Sequence, residues 1–234
     1  MLLFNKTNIQ KSGFLEGFTD HHSHLLPGVD DGFRTMEESL AALSYMESAG
    51  VAEIWLTPHI MEDIPNTTAG LRARYEELKA AYKGGIRLRL AAENMLDTLF
   101  EQRLEAGDML TMDGDVLLVE TSYFNPPLEF HEILTRVAAK GYHPLLAHPE
   151  RYKYMEMDDY EKLKRQGIMF QLNLGAIAGG YSKDTQHKAA ELLKRGYYDF
   201  VGSDCHNLRS YQSANEAGIP SSILKAIRQI PNSL

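Results

Sequence analysis

The stretch FTDHHSHLLPGVDDG, residues 18–32, decides how the rest of the chain is interpreted. It holds three histidines and three aspartates directly after a short apolar segment. Alternate side chains of a strand share a face, so we expect His22 and His24 to point into one pocket, with Asp20 on the same side. An H-x-H spacing is common by chance. The stretch is therefore a first, incomplete candidate for a metal site.

Outward from this stretch, predicted strands alternate with predicted helices along the chain. Seven strands are predicted, at residues 17–20, 51–57, 86–92, 115–120, 143–147, 168–173 and 199–203. The predicted helices cover about residues 35–50, 68–82, 97–106, 129–140, 158–166, 183–195 and 219–229. This alternation predicts an α/β fold with a parallel sheet, and seven such units indicate a closed or nearly closed barrel. A doubly wound open sheet is the alternative, although no G-x-G-x-x-G follows the first strand.

Length and composition predict one domain. The chain has 234 residues, of which 44% are apolar, enough for a full core. We expect residues 1–17 to form an N-terminal arm and residues 18–234 to form the domain. No apolar run approaches the ~20 residues of a membrane helix, and the first residues lack a secretory pattern. These features, with a single cysteine, Cys205, predict a cytoplasmic protein without an internal disulfide.

The formal charge of -8 argues against a nucleic-acid partner, because neutralising phosphates requires clustered lysines and arginines. Three bound divalent cations would reduce this net charge to -2, so the acidity is consistent with a metal site rather than with an acidic surface.

Histidine, aspartate or glutamate stands at or just after the carboxyl end of six of the seven predicted strands. In chain order these residues are His22 and His24, His59, Glu93, Glu120, His148, and Asp204 with His206. The carboxyl ends of parallel barrel strands meet on one face, so these side chains are expected to converge. Taken singly, each is explained by a loop hydrogen bond, a salt bridge or a turn. Gathered together, the carboxylates would repel one another unless cations were bound among them.

The donor set indicates the kind of metal and its chemistry. Imidazole and carboxylate without thiolate suit Zn²⁺, Mn²⁺ or Fe²⁺. Two or three such ions can bind a phosphate and activate water for its displacement. Arg151 and Arg209, each three residues after a candidate histidine ligand, are candidates for phosphate contacts or for rim salt bridges. The remaining histidines are assigned to structure or surface: His21, His131, His143 and His187.

These strings occur together in a known order. TDHHSH, GVDDG, TPH, AAE, LVET, LAHPERY and GSDCHN resemble the motifs of the PHP (polymerase and histidinol phosphatase) superfamily. More narrowly, the chain is similar, from about Gly17 to Asn207, to the CpsB/YwqE-type bacterial manganese-dependent protein-tyrosine phosphatases of capsular and exopolysaccharide biosynthesis. His21 departs from the apolar residue usual inside the first motif, and Asn94 departs from the aromatic residue often found after the third.

The resemblance implies a distorted (β/α)₇ TIM-like barrel, the PHP fold, with a trinuclear site. By motif, nine residues match its metal ligands: His22, His24, Asp31, His59, Glu93, Glu120, His148, Asp204 and His206. Arg151 and Arg209 match phosphate-contacting positions. Asp31 is expected to reach a third ion with His59 and His206, and Asp20 to orient a ligand histidine.

The implied function is hydrolysis of phosphotyrosine by a metal-bound hydroxide at three divalent ions, with Mn²⁺ expected and Fe or Zn as alternatives. The implied partner is a bacterial tyrosine autokinase that controls exopolysaccharide or capsule synthesis. A cysteine-phosphatase mechanism requires the pattern C-x₅-R. With Cys205 as the nucleophile the arginine would stand at position 211, but this residue is Tyr211. The alternatives are a small-molecule phosphomonoesterase resembling histidinol phosphatase, and a non-catalytic PHP module stabilised by metal.

Overall fold

Two parallel sheets curl into a distorted barrel in this computed structural model, which describes residues 6–233. The strands are β1 (Lys6–Thr7), β2 (Thr19–Ser23), β3 (Glu53–Leu56), β4 (His59–Ile60), β5 (Arg87–Leu90), β6 (Glu93–Met95), β7 (Val116–Glu120), β8 (His143–Ala147), β9 (Met169–Asn173), β10 (Phe200–Gly202) and β11 (Ile219–Pro220). One sheet has the order β10-β9-β8-β7-β6-β4, and the other has the order β2-β3-β5. The α/β barrel prediction is confirmed.

Backbone hydrogen bonds join the two sheets beside β10. The His24 N–H donates to the carbonyl of Cys205 over 3.1 Å, and the Asp204 N–H donates to the carbonyl of His22 over 2.8 Å. These bonds bring the first and last barrel strands together, so the motifs at residues 20–24 and 202–206 become neighbours.

Two predicted strands are each interrupted. The strand predicted at 51–57 contains β3 and is followed, after a break, by β4; the strand predicted at 86–92 contains β5 and is followed, after a break, by β6. Pro58 has no N–H to donate at the first break. The segments before the breaks pair in the three-stranded sheet, and those after them pair in the six-stranded sheet. His59 is therefore placed opposite Glu93 in the β4–β6 pair.

Helices cover the outside of the sheets. They are α1 (Met36–Ser48), α2 (Thr68–Ala81), α3 (Thr98–Ala106), α4 (Phe130–Ala139), α5 (Met157–Arg165), α6 (Leu174–Ile177), α7 (Lys183–Lys194), α8 (Leu208–Glu216) and α9 (Ser221–Ile227). The helix α1 begins with a capping box formed by Thr35 and Glu38. The sequence did not predict α8, whose N-cap is Asn207, and it placed the last helix over residues 219–229, which α9 covers only in part.

A small apolar cluster fills the barrel interior, separate from the larger core between sheets and helices. It consists of Trp55, Ala91, Met112, Val116, Leu118, Leu145, Ala147 and Phe200. Leu118 and Glu120 share a face of β7, so this cluster forms the floor beneath the strand ends. His21 packs on Phe200 with ring centroids 4.9 Å apart, and burial lowers its pKa to about 4. His21 is thus a neutral structural histidine.

The predicted N-terminal arm is described from Lys6 onwards, and residues 1–5 lie outside the described residues, as does residue 234. Ile9 and Leu15 are buried in the larger core, and β1 pairs antiparallel with β11. The boundary at residue 17 stays a prediction. Within residues 6–233, none of the helices combines the length and apolar character required to span a membrane.

Candidate metal centre

The strand ends bring eight of the nine predicted ligands into three overlapping groups. Within each group, the ligand atoms all lie within 4.8 Å of one another. The groups are His22, His24, Glu93 and Asp204; His24, Asp31, His59 and His206; and His59, Glu93 and Glu120. Because His24, His59 and Glu93 each belong to two groups, the three groups form one continuous centre.

The first group is fully buried. The Nε2 atoms of His22 and His24 are 3.1 Å apart. The Oε2 atom of Glu93 lies 3.2 Å from His22 Nε2 and 3.3 Å from His24 Nε2. Asp204 Oδ1 lies 3.5 and 3.4 Å from the same two nitrogens. Two imidazoles and two carboxylates therefore point at one position.

The second group opens to solvent through Asp31, whose side chain is 64% exposed. Asp31 Oδ1 lies 3.3 Å from His206 Nε2 and 3.5 Å from His59 Nε2. The rings of His24 and His206 stack with centroids 3.9 Å apart. The sequence grouped Asp31 with His59 and His206, and the structure adds His24.

In the third group, His59 Nδ1 lies 3.1 Å from Glu93 Oε2 and 3.0 Å from Glu120 Oε1. His148 lies beside this group without joining any of the three. Its Nε2 is 2.9 Å from Glu93 Oε1 and 3.9 Å from Glu120 Oε2. A ligand role for His148 therefore stays a prediction.

Two observations show that this arrangement suits bound cations. Four buried atoms of the centre form no hydrogen bond within the described residues: His59 Nδ1, Glu93 Oε2, Glu120 Oε1 and Asp204 Oδ1. In addition, the Nδ1 atoms of His22 and His24 face the acceptor oxygens of Gln171 and Asp30, both over 2.8 Å. The proton of each neutral ring is therefore on Nδ1, and the two Nε2 lone pairs face each other. A cation between them would resolve this repulsion.

The electrostatics of the centre also favour positive charge. Burial opposes ionisation, yet the carboxylates of Glu93 and Asp204 raise the pKa of His22 to about 9. Burial likewise opposes the ionised form of Glu93, but the His22 and His59 rings hold its pKa well below the usual value. Bound metal ions would supply the same positive charge and displace protons from the imidazoles.

Residues that orient the ligands lie on segments that the sequence left without a role. Gln171 accepts from His22 Nδ1, and its own amide donates to the carbonyl of Leu172. Asn173 donates to Asp204 Oδ2 over 2.8 Å. The signal was available, because Gln171 and Asn173 share one face of an otherwise apolar buried strand.

Asp30, not Asp20, orients a ligand histidine through its ring. Asp20 contacts His22 only through the backbone: its carboxylate accepts from the Ser203 N–H, the Ser203 hydroxyl and the backbone N–H of His22. An orienting role for Asp20 therefore stays a prediction. The β2–β3 pair has a register shift between Asp20 and Ser23, so strict alternation does not hold along β2.

Two site residues have strained backbones. His148 has φ of 34° and Asp204 has φ of 52°, in the left-handed region that non-glycine residues rarely adopt. Such strain persists only where the surroundings enforce it, and it is concentrated at functional sites.

The two candidate arginines differ in position. Arg151 Nη1 donates to Asp204 Oδ2 over 2.7 Å, and Arg151 lines a cavity of about 590 Å³ that opens onto the centre. Arg209 is exposed on α8 and is not among the residues lining that cavity. The structure thus brings Arg151 to the centre and leaves Arg209 outside it, so a phosphate contact by Arg209 stays a prediction.

Cys205 is buried, and its Sγ contacts the carbonyl of Asn207 over 3.6 Å. Burial raises the pKa of the thiol well above its usual value. The thiolate form required of a nucleophile is therefore disfavoured.

Replacing Gln171 by leucine is expected to weaken metal binding about 10- to 100-fold, because His22 loses the acceptor that fixes its ring. Isothermal titration with Mn²⁺ measures the change. Gln166→Leu is the matched control, since Gln166 makes the same contact with His131 Nδ1, over 3.0 Å, on the surface. Equal affinities in the two variants would contradict an orienting role for Gln171.

Replacing Gly202 by alanine is expected to lower the free energy of unfolding by about 1–3 kcal/mol. An added Cβ would lie 2.5 Å from His22 Cβ and 2.9 Å from the His22 backbone nitrogen, so β2 would have to move. Urea denaturation measures the effect. Gly218→Ala, where the nearest atom is 3.6 Å away, is the control. A Gly202→Ala variant as stable as that control would show that β2 tolerates displacement.

The fold and these three groups define a distorted α/β barrel with a candidate polynuclear metal centre at the carboxyl ends of its strands. The chain belongs to the CpsB/CapC family: the family model "Capsular polysaccharide synthesis, CpsB/CapC" matches residues 18–216.

Relatives of this family cover most of the chain. The chain is 27% identical over 198 residues to the tyrosine-protein phosphatase YwqE of Bacillus subtilis, covering 82% of this chain and 78% of YwqE. It is 29% identical over 205 residues to the tyrosine-protein phosphatase CpsB of Streptococcus pneumoniae, covering 82% and 84%.

Solved structures show the same fold. A structure from a study of YwqE and CpsB, described there as unique metal-dependent tyrosine phosphatases, matches with a TM-score of 0.75 at 23% identity, over 91% of this chain and 95% of that one. Histidinol phosphate phosphatase of Lactococcus lactis matches with a TM-score of 0.54 at 16% identity, over 90% and 94% of the two chains.

Proposed function

We propose that this protein is a metal-dependent protein-tyrosine phosphatase that holds three divalent ions, with Mn²⁺ expected. The observation that carries the proposal is the continuous centre of three groups, with its buried ligand atoms that lack hydrogen bonds. Family membership and the names of the relatives support the same activity. We extend the ligand set to His148, which lies 2.9 Å from Glu93.

Divalent cations bound at these groups would neutralise phosphoryl charge and lower the pKa of water, the chemistry of the hydroxide mechanism that the sequence predicts. Arg151 contributes a charged donor at the cavity wall, where a bidentate contact suits a phosphate. Its bond to Asp204 places the guanidinium beside the first group. The leaving phenolate, with a pKa of about 10, requires less protonation than an alkoxide, so we assign no dedicated general acid.

The loops beyond the carboxyl ends of β7 and β9 carry exposed hydrophobic side chains, which favour a polypeptide over a small substrate. Among the described residues, the large hydrophobic side chains that are exposed are Phe124 (62%), Leu128 (92%) and Tyr181 (40%). They lie on the loops that follow β7 and α6, and Tyr181 lines the cavity itself. Exposed apolar groups beside a site are a common feature of surfaces that bind other chains. We propose a phosphotyrosine protein substrate, such as a tyrosine autokinase of capsule or exopolysaccharide synthesis, in the cytoplasm.

A substrate panel tests the proposed function. Metal-analysed protein is expected to hydrolyse phosphotyrosine peptides with higher kcat/KM than phosphoserine peptides or histidinol phosphate. A preference for histidinol phosphate would replace the proposal with a small-molecule phosphatase. No activity on any monoester in the fully metal-loaded protein would instead support a non-catalytic module.

A further inference from the structure

Two tyrosine rings contact the guanidinium of Arg151. The Cζ atom of Arg151 lies 4.3 Å from the ring centroid of Tyr123 and 4.6 Å from that of Tyr181. Both distances are within the range of cation–π interaction, and a guanidinium stacks well on aromatic faces. We propose that Tyr123 and Tyr181 are positioning residues that hold Arg151 for phosphoryl binding. The inference rests on the proposed function and deepens it.

Stacking constrains the direction in which Arg151 donates hydrogen bonds. A guanidinium has five N–H donors in one plane, so an aromatic ring that stacks on its face leaves the donors at its edges for polar partners. Nη1 uses one edge to bind Asp204. Without the rings, the long side chain would be free to turn toward the other carboxylates of the centre. The rings therefore keep the remaining donors in a fixed plane at the cavity wall.

The two rings are anchored differently. Tyr123 packs against Tyr152 with ring centroids 6.2 Å apart, and its carbonyl accepts from the Lys153 N–H. Tyr181 is held at its hydroxyl, which accepts from Asn173 Nδ2 over 3.1 Å. The same amide nitrogen donates to Asp204, so Asn173 connects Tyr181 to the metal centre.

Glycines make room for the Tyr181 ring. An added Cβ at Gly175 would lie 3.3 Å from Tyr181 Cε2. Gly179 has φ of 82°, which turns the loop back, and the Gly180 N–H donates to the carbonyl of Gly175. The segment 175–181, GAIAGGY, is therefore built to bring one aromatic ring over Arg151. This gives a role to a loop that the strand-end ligands leave unexplained.

A double-mutant cycle tests the inference. Tyr181→Leu is expected to lower kcat/KM for a small aryl phosphate about tenfold and to weaken binding of inorganic phosphate, measured calorimetrically, by a similar factor. Tyr181→Phe keeps the ring and is expected to recover most of both losses. In an Arg151→Met background, where no guanidinium is present, Tyr181→Leu is expected to change either quantity less than twofold. Tyr123→Leu is expected to follow the same pattern.

Three results would overturn the inference. In the first, Tyr181→Leu lowers kcat/KM and phosphate affinity equally in the wild-type and Arg151→Met backgrounds. In the second, Tyr181→Phe lowers both quantities as much as Tyr181→Leu does. In the third, Tyr181→Leu lowers neither quantity. Because Tyr181 is partly exposed, its variants are expected to keep the wild-type Tm, which excludes unfolding as the cause. If the metal-loaded wild-type protein hydrolyses no monoester, the proposed function fails. The calorimetric affinity for inorganic phosphate in the same variants then still shows whether Tyr181 acts through Arg151.

Discussion

Replacing Glu93 by glutamine is expected to reduce turnover of phosphotyrosine about a thousandfold and to lower the bound metal content. Glu93 belongs to two of the three groups. Its Oε2 lies within 3.3 Å of His22, His24 and His59, and its Oε1 lies 2.9 Å from His148. Glutamine keeps the shape but removes the charge, and losing one central electrostatic contact at a reacting centre costs about 10²- to 10³-fold.

The matched control is Glu53→Gln. Glu53 is also a buried strand glutamate, but its carboxylate pairs with Arg87 and Arg89 at the other end of β3. Elemental analysis and steady-state kinetics measure both variants. A Glu93→Gln protein that keeps its full metal content would refute the assignment of Glu93 as a shared ligand.

Removing divalent ions with a strong chelator is expected to abolish activity, and adding Mn²⁺ is expected to restore it. The ions would also stabilise the fold, because the groups are preformed only in the native state. One site at a hundredfold excess over Kd contributes about 2.7 kcal/mol. For a chain of this size that corresponds to a rise in Tm of about 5–11 °C.

Cys205→Ser separates this mechanism from thiol chemistry, because the variant is expected to keep both its activity and its response to the chelator. Thermal melting with and without Mn²⁺ completes the experiment. An activity that survives chelation, or that is lost in Cys205→Ser with metal content intact, would exclude the metal mechanism.

The sequence could indicate the barrel because its signals are local. Alternating apolar segments and capped helices specify strands and helices, and parallel strands place their carboxyl ends on one face. The helix α8 was missed because its buried residues, Tyr211 and Asn215, give little apolar periodicity. The segments β4 and β6 were missed because they follow breaks and are only two and three residues long, while the exchange between sheets is a property of the whole barrel.

The ligand candidates were accessible from sequence, whereas only some of the residues that support them were. His22, Glu93 and Asp204 stand at strand ends, a position that the chain order reveals. That Asp30 faces the His24 ring depends on the course of the loop after β2, where the Phe33 N–H donates to the carbonyl of His24, and no local pattern encodes it. Arg151 and Arg209 have the same spacing from a histidine, yet only Arg151 lies at the cavity, because Arg209 falls on an exposed face of α8.

The stretch at residues 18–32 was enough to predict that a set of candidate metal ligands begins at the first strand. Residue type and spacing carry this signal, and both are read directly from the sequence. Only the tertiary structure decided how the set divides into three groups, and which neighbours orient it. The physical reason is that the distances between His22, Glu93 and Asp204 depend on how the closed barrel aligns strands far apart in sequence. The stacking of Tyr123 and Tyr181 on Arg151 depends instead on the pairing of β7, β8 and β9, three neighbouring strands whose following loops carry these residues.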